Sequence, residues 1–182
     1  NCFAYSATSP SDPNFFLIFR HKLVIYYLMT KNKYLSLVLF LIITFAASAI
    51  GGFTTSAFKE PWYSQIILPT FNPPSWVFGP VWSTLYVFMS IAIWKAWSIT
   101  KDEKLLKIYF IHLFFNAIWS IIFFGFHNIG LALIDLIIIL FFIILLMKIY
   151  YNINKTSFYL MIPYLIWSSY ALILNTSIFL LN

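Results

Sequence analysis

Gly130–Tyr151, GLALIDLIIILFFIILLMKIYY, is the stretch whose reading decides the fold. A helix needs about 20 predominantly apolar residues to cross a bilayer's hydrocarbon layer, and this run supplies them with Asp135 and Lys148 as its charges. Apolar residues occupy nearly every side, so length and not amphipathic periodicity identifies a membrane span. Four further stretches satisfy the same test: about Leu35 to Phe58, Val77 to Ser98, Leu105 to Phe126 and Phe158 to Leu181. The expected fold class is all-α, an integral membrane bundle of five transmembrane helices.

Composition agrees. The chain of 182 residues is 62% hydrophobic and 9% charged, against about 25% charged in ordinary soluble domains. A net charge of +6 raises the question of nucleic acid, but the basic residues sit between apolar runs and form no sustained patch, so no nucleic-acid partner is expected. The lone cysteine, Cys2, excludes a disulfide framework, a CxxC pair and a CxxCH haem attachment.

The interruptions have physical causes. Lys59-Glu60-Pro61 ends the first run, and Pro69, Pro73 and Pro74 hold the next loop in extended or turn geometry. Lys101-Asp102-Glu103-Lys104, then His127-Asn128 with Gly130, then Asn152 to Ser157 make the remaining breaks. Short connections force antiparallel neighbours, hence one compact up-down bundle over residues 34–182.

Of the eleven Lys and Arg, all but Lys59 fall on one side under a five-span reading: Arg20, Lys22, Lys31 and Lys33, then Lys95, Lys101, Lys104 and Lys107, then Lys148 and Lys155. The positive-inside rule makes that side cytoplasmic. The expectation is a multi-pass protein of a bacterial inner membrane, N-terminus inside and C-terminus outside.

The region before the first span has two readings. Lys31 to Lys33, an apolar run and Ala47-Ser48-Ala49 imitate a cleaved signal peptide, but apolar character continues through Ile50, Phe53 and Ala57 to full spanning length. Phe15 to Met29 is interrupted by Arg20-His21-Lys22, too costly at mid-depth for a sixth span. Met29 before a basic, span-leading segment reads as a native start, and residues 1–33 as a disordered or non-native extension.

Aromatic residues make up 22% of the chain. Trp62, Tyr63, Trp94, Trp97, Tyr109, Tyr150 and Tyr151 lie near span ends and read first as interfacial belt. Trp82 and Tyr86 are four apart on one helical face, with Met89 a turn further; Tyr164, Trp167, Ala171 and Asn175 share a stripe at spacings of three and four. Each stripe is either packing or one of two walls able to sandwich a planar ligand. Asn116, Asn175 and Asp135 are polar at membrane depth and must face the interior, bonding another helix or a ligand. Ser48, Gly51, Gly52 and Ser56 form a small-residue face expected to pack against a neighbouring helix or a second copy. Neither His112 nor His127 has a second ligand at usable spacing, so no metal site is expected, and no Ser-His-Asp order, phosphate loop or carboxylate pair appears.

Pro61-Trp62-Tyr63 through Pro69, Asn72-Pro73-Pro74, Trp76-Val77-Phe78-Gly79-Pro80-Val81-Trp82 and Leu85-Tyr86 form a stretch that resembles the TspO/MBR family. The resemblance continues through Phe115-Asn116-Ala117-Ile118-Trp119-Ser120, Phe123-Phe124-Gly125, Ala132-Leu133-Ile134-Asp135, Pro163-Tyr164-Leu165-Ile166-Trp167, Tyr170-Ala171 and Leu174-Asn175. It implies a five-helix fold, often a homodimer, whose pocket accepts porphyrins, haem-type tetrapyrroles and, in some members, sterols. It implies ligand contacts from Trp76, Trp82, Tyr86, Asn116, Trp119, Tyr164, Trp167, Ala171 and Asn175, under a lid of Trp62, Tyr63, Phe71, Pro73 and Pro74.

Two positions depart from the pattern: Leu68 stands where a basic residue is common and Phe71 where Trp is frequent. Asn175-Thr176-Ser177-Ile178 lacks the Tyr and basic residue of the sterol-recognition pattern. The expected function is a membrane receptor or carrier for porphyrins or related tetrapyrroles, with a sensory or transport role and no required cofactor. The alternatives are an enzyme degrading porphyrin in light and oxygen, with Trp82 or Trp167 as the participating indole, and a small-molecule or sterol transporter.

Overall fold

A computed structural model describes residues 32–182. The reading of residues 1–31 as an extension lies outside the described residues. Internal contacts divide the chain into two units, 1–39 and 40–182. In the first, Asn32 Oδ1 accepts from the amides of Tyr34 and Leu35 (3.0 and 3.3 Å) and so caps the opening turn of helix α1, Lys33–Phe58. The rest of α1 and all later elements belong to the second unit.

After α1 come the short α2 (Trp62–Gln65), α3 (Ser75–Thr100), α4 (Glu103–Ser120) running into a π-helical turn at Ile121–Gly125, α5 (Ile129–Ile153) and α6 (Lys155–Leu181). α1, α3, α4 with its π turn, α5 and α6 are each long and apolar enough to cross a membrane. They exceed the expected spans by a turn or less at most ends, because polar residues just outside the apolar runs serve as caps. Asp102, Asn128 and Asn154 accept from the amides of Lys104, Leu131 and Ser157 at 2.8, 2.9 and 3.2 Å.

α5 packs most extensively on α6, then on α4, and α6 also lies along α3. From Phe40 onward α1 joins this group through side chains. Phe40 meets the edge of Trp97 at 5.9 Å, and Tyr109 donates to Thr44 Oγ1 at 2.6 Å while Thr44 donates to the Phe40 carbonyl. Trp97, Tyr109 and Tyr150 are fully buried, which corrects their assignment to an interfacial belt. Only Tyr151 of the tyrosines in that group is more than half exposed, under the Lys155 ammonium at 2.8 Å from its ring centroid.

Of the two glycines expected to pack closely on a neighbouring helix, Gly51 does so and Gly52 does not. A Cβ at Gly51 would meet Ser120 Oγ at 3.1 Å, so that position does approach α4 closely. A Cβ at Gly52 would meet nothing within 4 Å, because Ser48, Gly52 and Ser56 face open space.

Candidate ligand-binding cavity

The open space is a cavity of about 540 Å³ enclosed by α1, α3, α4, α5 and α6, within the range of small-molecule sites. Its α1 wall is the small-residue stripe Ser48, Gly52, Thr55 and Ser56. Without bulky side chains there, α1 leaves a chamber where a leucine stripe would have filled it.

The opposite walls are aromatic. α3 contributes Phe78, Trp82 and Tyr86, α4 and its π turn Trp119, Phe123 and Phe124, and α6 Trp167, Ala171 and Asn175. Trp82 and Tyr86 lie 5.6 Å apart, tilted by 31°, and form one face as their spacing requires. Phe78 meets Trp167 edge-on at 5.9 Å, closing the α3–α6 corner. The π turn explains how consecutive residues Phe123 and Phe124 both point inward. Phe126 N–H bonds the Ile121 carbonyl at 2.9 Å, five residues back, and the wider turn rotates both rings toward the bundle. Trp119 stacks on Phe123 at 5.0 Å.

A buried polar chain backs this wall. Tyr86 OH donates to Asn116 Oδ1 (2.6 Å), and Asn116 Nδ2 donates to Tyr164 OH (2.8 Å). Tyr164 OH, having accepted that bond, has its proton for His112 Nε2 at 2.8 Å. Asn116 therefore holds Tyr86 toward the cavity and ties α3 to α4 and α6. The buried polar atoms without a protein partner include Trp119 Nε1, both amide atoms of Asn175, and Asp135 Oδ2. Trp119 and Asn175 belong to the cavity wall, so its deep end is apolar in shape with unspent hydrogen-bonding capacity behind it.

Of the residues expected at the site, Trp82, Tyr86, Asn116, Trp119, Trp167, Ala171 and Asn175 share this one cavity. Tyr164 is fully buried behind the wall, edge-on to Trp82 at 6.1 Å, and supports it through Asn116. Trp76 is 75% exposed at the start of α3 and lies outside the lining, because it sits two residues into the helix on the face away from Phe78 and Trp82.

The loop over the mouth is anchored at several points. Trp62 stacks on His127 at 4.6 Å and meets the edge of Phe123, whereas Tyr63 lines the cavity itself. Burial pushes the pKa of the Tyr63 hydroxyl up from its ordinary value, so it remains a donor through mildly alkaline pH. Phe71 is exposed, with its carbonyl accepting from Tyr170 OH at 2.7 Å, and Pro74 precedes α3 as its cap residue. Pro73 faces a separate, more open groove of about 740 Å³ between α3 and α6, whose lining includes Pro80, Pro163 and Trp167. Trp167 thus stands in the partition between chamber and groove.

Asn182 makes a two-point clasp on the loop, its Oδ1 accepting from Ile67 N–H at 2.8 Å and its Nδ2 donating to Ile67 C=O at 3.0 Å. Asn182→Ala is expected to speed hydrogen exchange at the Ile67 amide by about tenfold or more while amides in α5 stay unchanged. Unchanged exchange at Ile67 would mean that the aromatic contacts alone hold the loop.

Sequence reasoning overlooked Lys59 and the small stripe of α1 as lining. Lys59 Nζ lies 3.3 Å from Ser75 Oγ and 3.9 Å from Glu60 Oε1 at the mouth. Its available signal was its isolation, the one basic residue on its side of the five-span arrangement.

Five apolar helices among the described residues, around an aromatic chamber with a proline-rich loop across one end, make this a multi-pass integral membrane protein. The model of the TspO/MBR family matches residues 39–181, and the chain belongs to that family. It is 36% identical to "Tryptophan-rich protein TspO" of Archaeoglobus fulgidus over 81% of this chain and 97% of the relative. It is 33% identical to "Tryptophan-rich sensory protein" of Cereibacter sphaeroides, covering 78% and 91% of the two chains. It is also 33% identical to human "Translocator protein", covering 71% and 82%.

Proposed function

We propose that the chamber binds a flat, largely apolar tetrapyrrole of the porphyrin type and that the protein acts as its membrane receptor or carrier. The observation that carries this reading is the convergence of Trp82 on α3 and Trp167 on α6 upon one cavity. Two indoles on different helices offer a planar ligand stacking contacts worth about 0.5–1.5 kcal/mol each beyond area burial. Relatives named as sensory and translocator proteins support a role in signalling or passage and do not select between them. The basic ends of α3 to α6 face the cytoplasm in this reading, so the chamber mouth, at the Lys59 end, opens on the opposite side.

The test is titration of the purified protein in neutral detergent with protoporphyrin IX, in the dark, following tryptophan fluorescence. Saturable quenching with a micromolar or tighter Kd is the expected result. Absence of saturable quenching overturns the reading. Stoichiometric conversion of the porphyrin on illumination, abolished in Trp82→Phe or Trp167→Phe, would favour the degradative alternative.

A further inference from the structure

We infer that Lys59 is the anion-recognition residue of the chamber, taking a carboxylate of the ligand at the mouth while the apolar body lies between the tryptophans. This rests on the tetrapyrrole reading and specifies how that ligand is oriented and told apart from neutral relatives.

The argument begins with charge. Among the described residues lining the cavity only Lys59 and Glu60 are ionic, and both stand at the mouth, where α1 ends. The remaining lining is aromatic, aliphatic, hydroxyl or amide, so a carboxylate drawn into the chamber would meet no cation and pay its full desolvation cost. An amphiphilic anion therefore has one favourable orientation, its charged end beside Lys59.

The ammonium is held in place yet not used up. The Lys59 side chain is 27% exposed, and its ammonium lies 5.0 Å from the Tyr63 ring centroid and reaches Ser75 Oγ at 3.3 Å. Its contact with Glu60 is at the outer limit of an ion pair, 3.9 Å, and Glu60 is 59% exposed, free to swing into water when a better-placed carboxylate arrives. Ser75, having accepted from Lys59, keeps its own hydroxyl proton for the same anion. Ser75 also opens α3, whose N-terminus has no side-chain cap, so its partial positive charge adds to the field at the mouth. His127, the other titratable group near this end of α1, is directed to the Phe58 carbonyl at 3.4 Å and stacks on Trp62.

The experiment compares protoporphyrin IX with its dimethyl ester, which has the same ring and no ionisable carboxyl. Both are titrated in neutral maltoside micelles at low salt against the full chain and its Lys59→Gln, Lys59→Arg and Glu60→Gln variants. Helicity by circular dichroism verifies that each variant is folded. Lys59→Gln is expected to weaken the free acid about tenfold and the ester less than twofold. Lys59→Arg should retain the free acid within about threefold, and Glu60→Gln should tighten it by removing a competitor. Raising salt should weaken the free acid in the wild type and not in Lys59→Gln.

The inference is overturned if Lys59→Gln leaves free-acid affinity within twofold, or if acid and ester weaken equally, which would mark a structural role. If neither porphyrin binds the wild type, the tetrapyrrole reading falls and this inference falls with it. If the ester binds and the acid gains nothing from Lys59, only the inference fails.

Discussion

Replacing Trp82 and Trp167 together by alanine should lower protoporphyrin affinity by at least a hundredfold. Each indole is expected to contribute about 2 kcal/mol to binding through stacking and buried area, and about 3–4 kcal/mol in total corresponds to a factor of several hundred. The pair lies on separate helices, Trp167 edge-on to Phe78 of the other helix and Trp82 edge-on to Tyr164, so partial coupling is anticipated and each single variant should lose about ten- to thirtyfold. The double phenylalanine variant keeps an aromatic face at both positions and should lose less than about tenfold. Fluorescence can no longer report binding when these indoles are gone, so absorbance of the porphyrin Soret band is the suitable measurement. Equal affinity in wild type and double-alanine variant would remove the chamber walls from the site.

The second large effect concerns stability. Asn116→Leu would strand the hydroxyl of Tyr86 without its acceptor and remove the amide donor of Tyr164, both inside a spanning bundle. A loss of about 2–3 kcal/mol is expected, near the upper end for interhelical hydrogen bonds because two partners fail together. Thermal unfolding in detergent would register this as a drop of several degrees. Adding Tyr86→Phe to Asn116→Leu removes the stranded hydroxyl as well and should return part of the loss. Additive destabilisation in that double variant would show that Tyr86 and Asn116 do not act as a unit.

These two effects draw on different layers of the molecule, and they were unequally legible beforehand. Trp82 with Tyr86, and Trp167 with Ala171 and Asn175, could be paired from spacing alone, because positions three and four apart share a face of any helix. The link from Asn116 to both tyrosines could not. It depends on which residues of three different helices stand at one height, and only packing sets that height.

The burial of Trp97, Tyr109 and Tyr150 was illegible for a related reason. In a soluble protein the apolar face of a helix points inward, so the pattern reveals the core. Here lipid and core are both apolar, and almost no periodicity distinguishes them. An aromatic residue near a span end is then equally compatible with the membrane interface and with the bundle centre.

Sequence by itself determined the number of spanning helices among the described residues, their limits within a turn or so, and their antiparallel order. Hydrocarbon thickness demands a minimum apolar length, and charged, prolyl and capping residues end each run for local reasons. Tertiary structure alone decided that Ser48, Gly52 and Ser56 face a chamber instead of a tightly packed partner, that Tyr164 stands behind the wall, that Trp76 stays outside, and that Lys59 guards the mouth. Those outcomes turn on how far α1 stands from its neighbours, a distance set by side chains meeting across helices far apart in the chain.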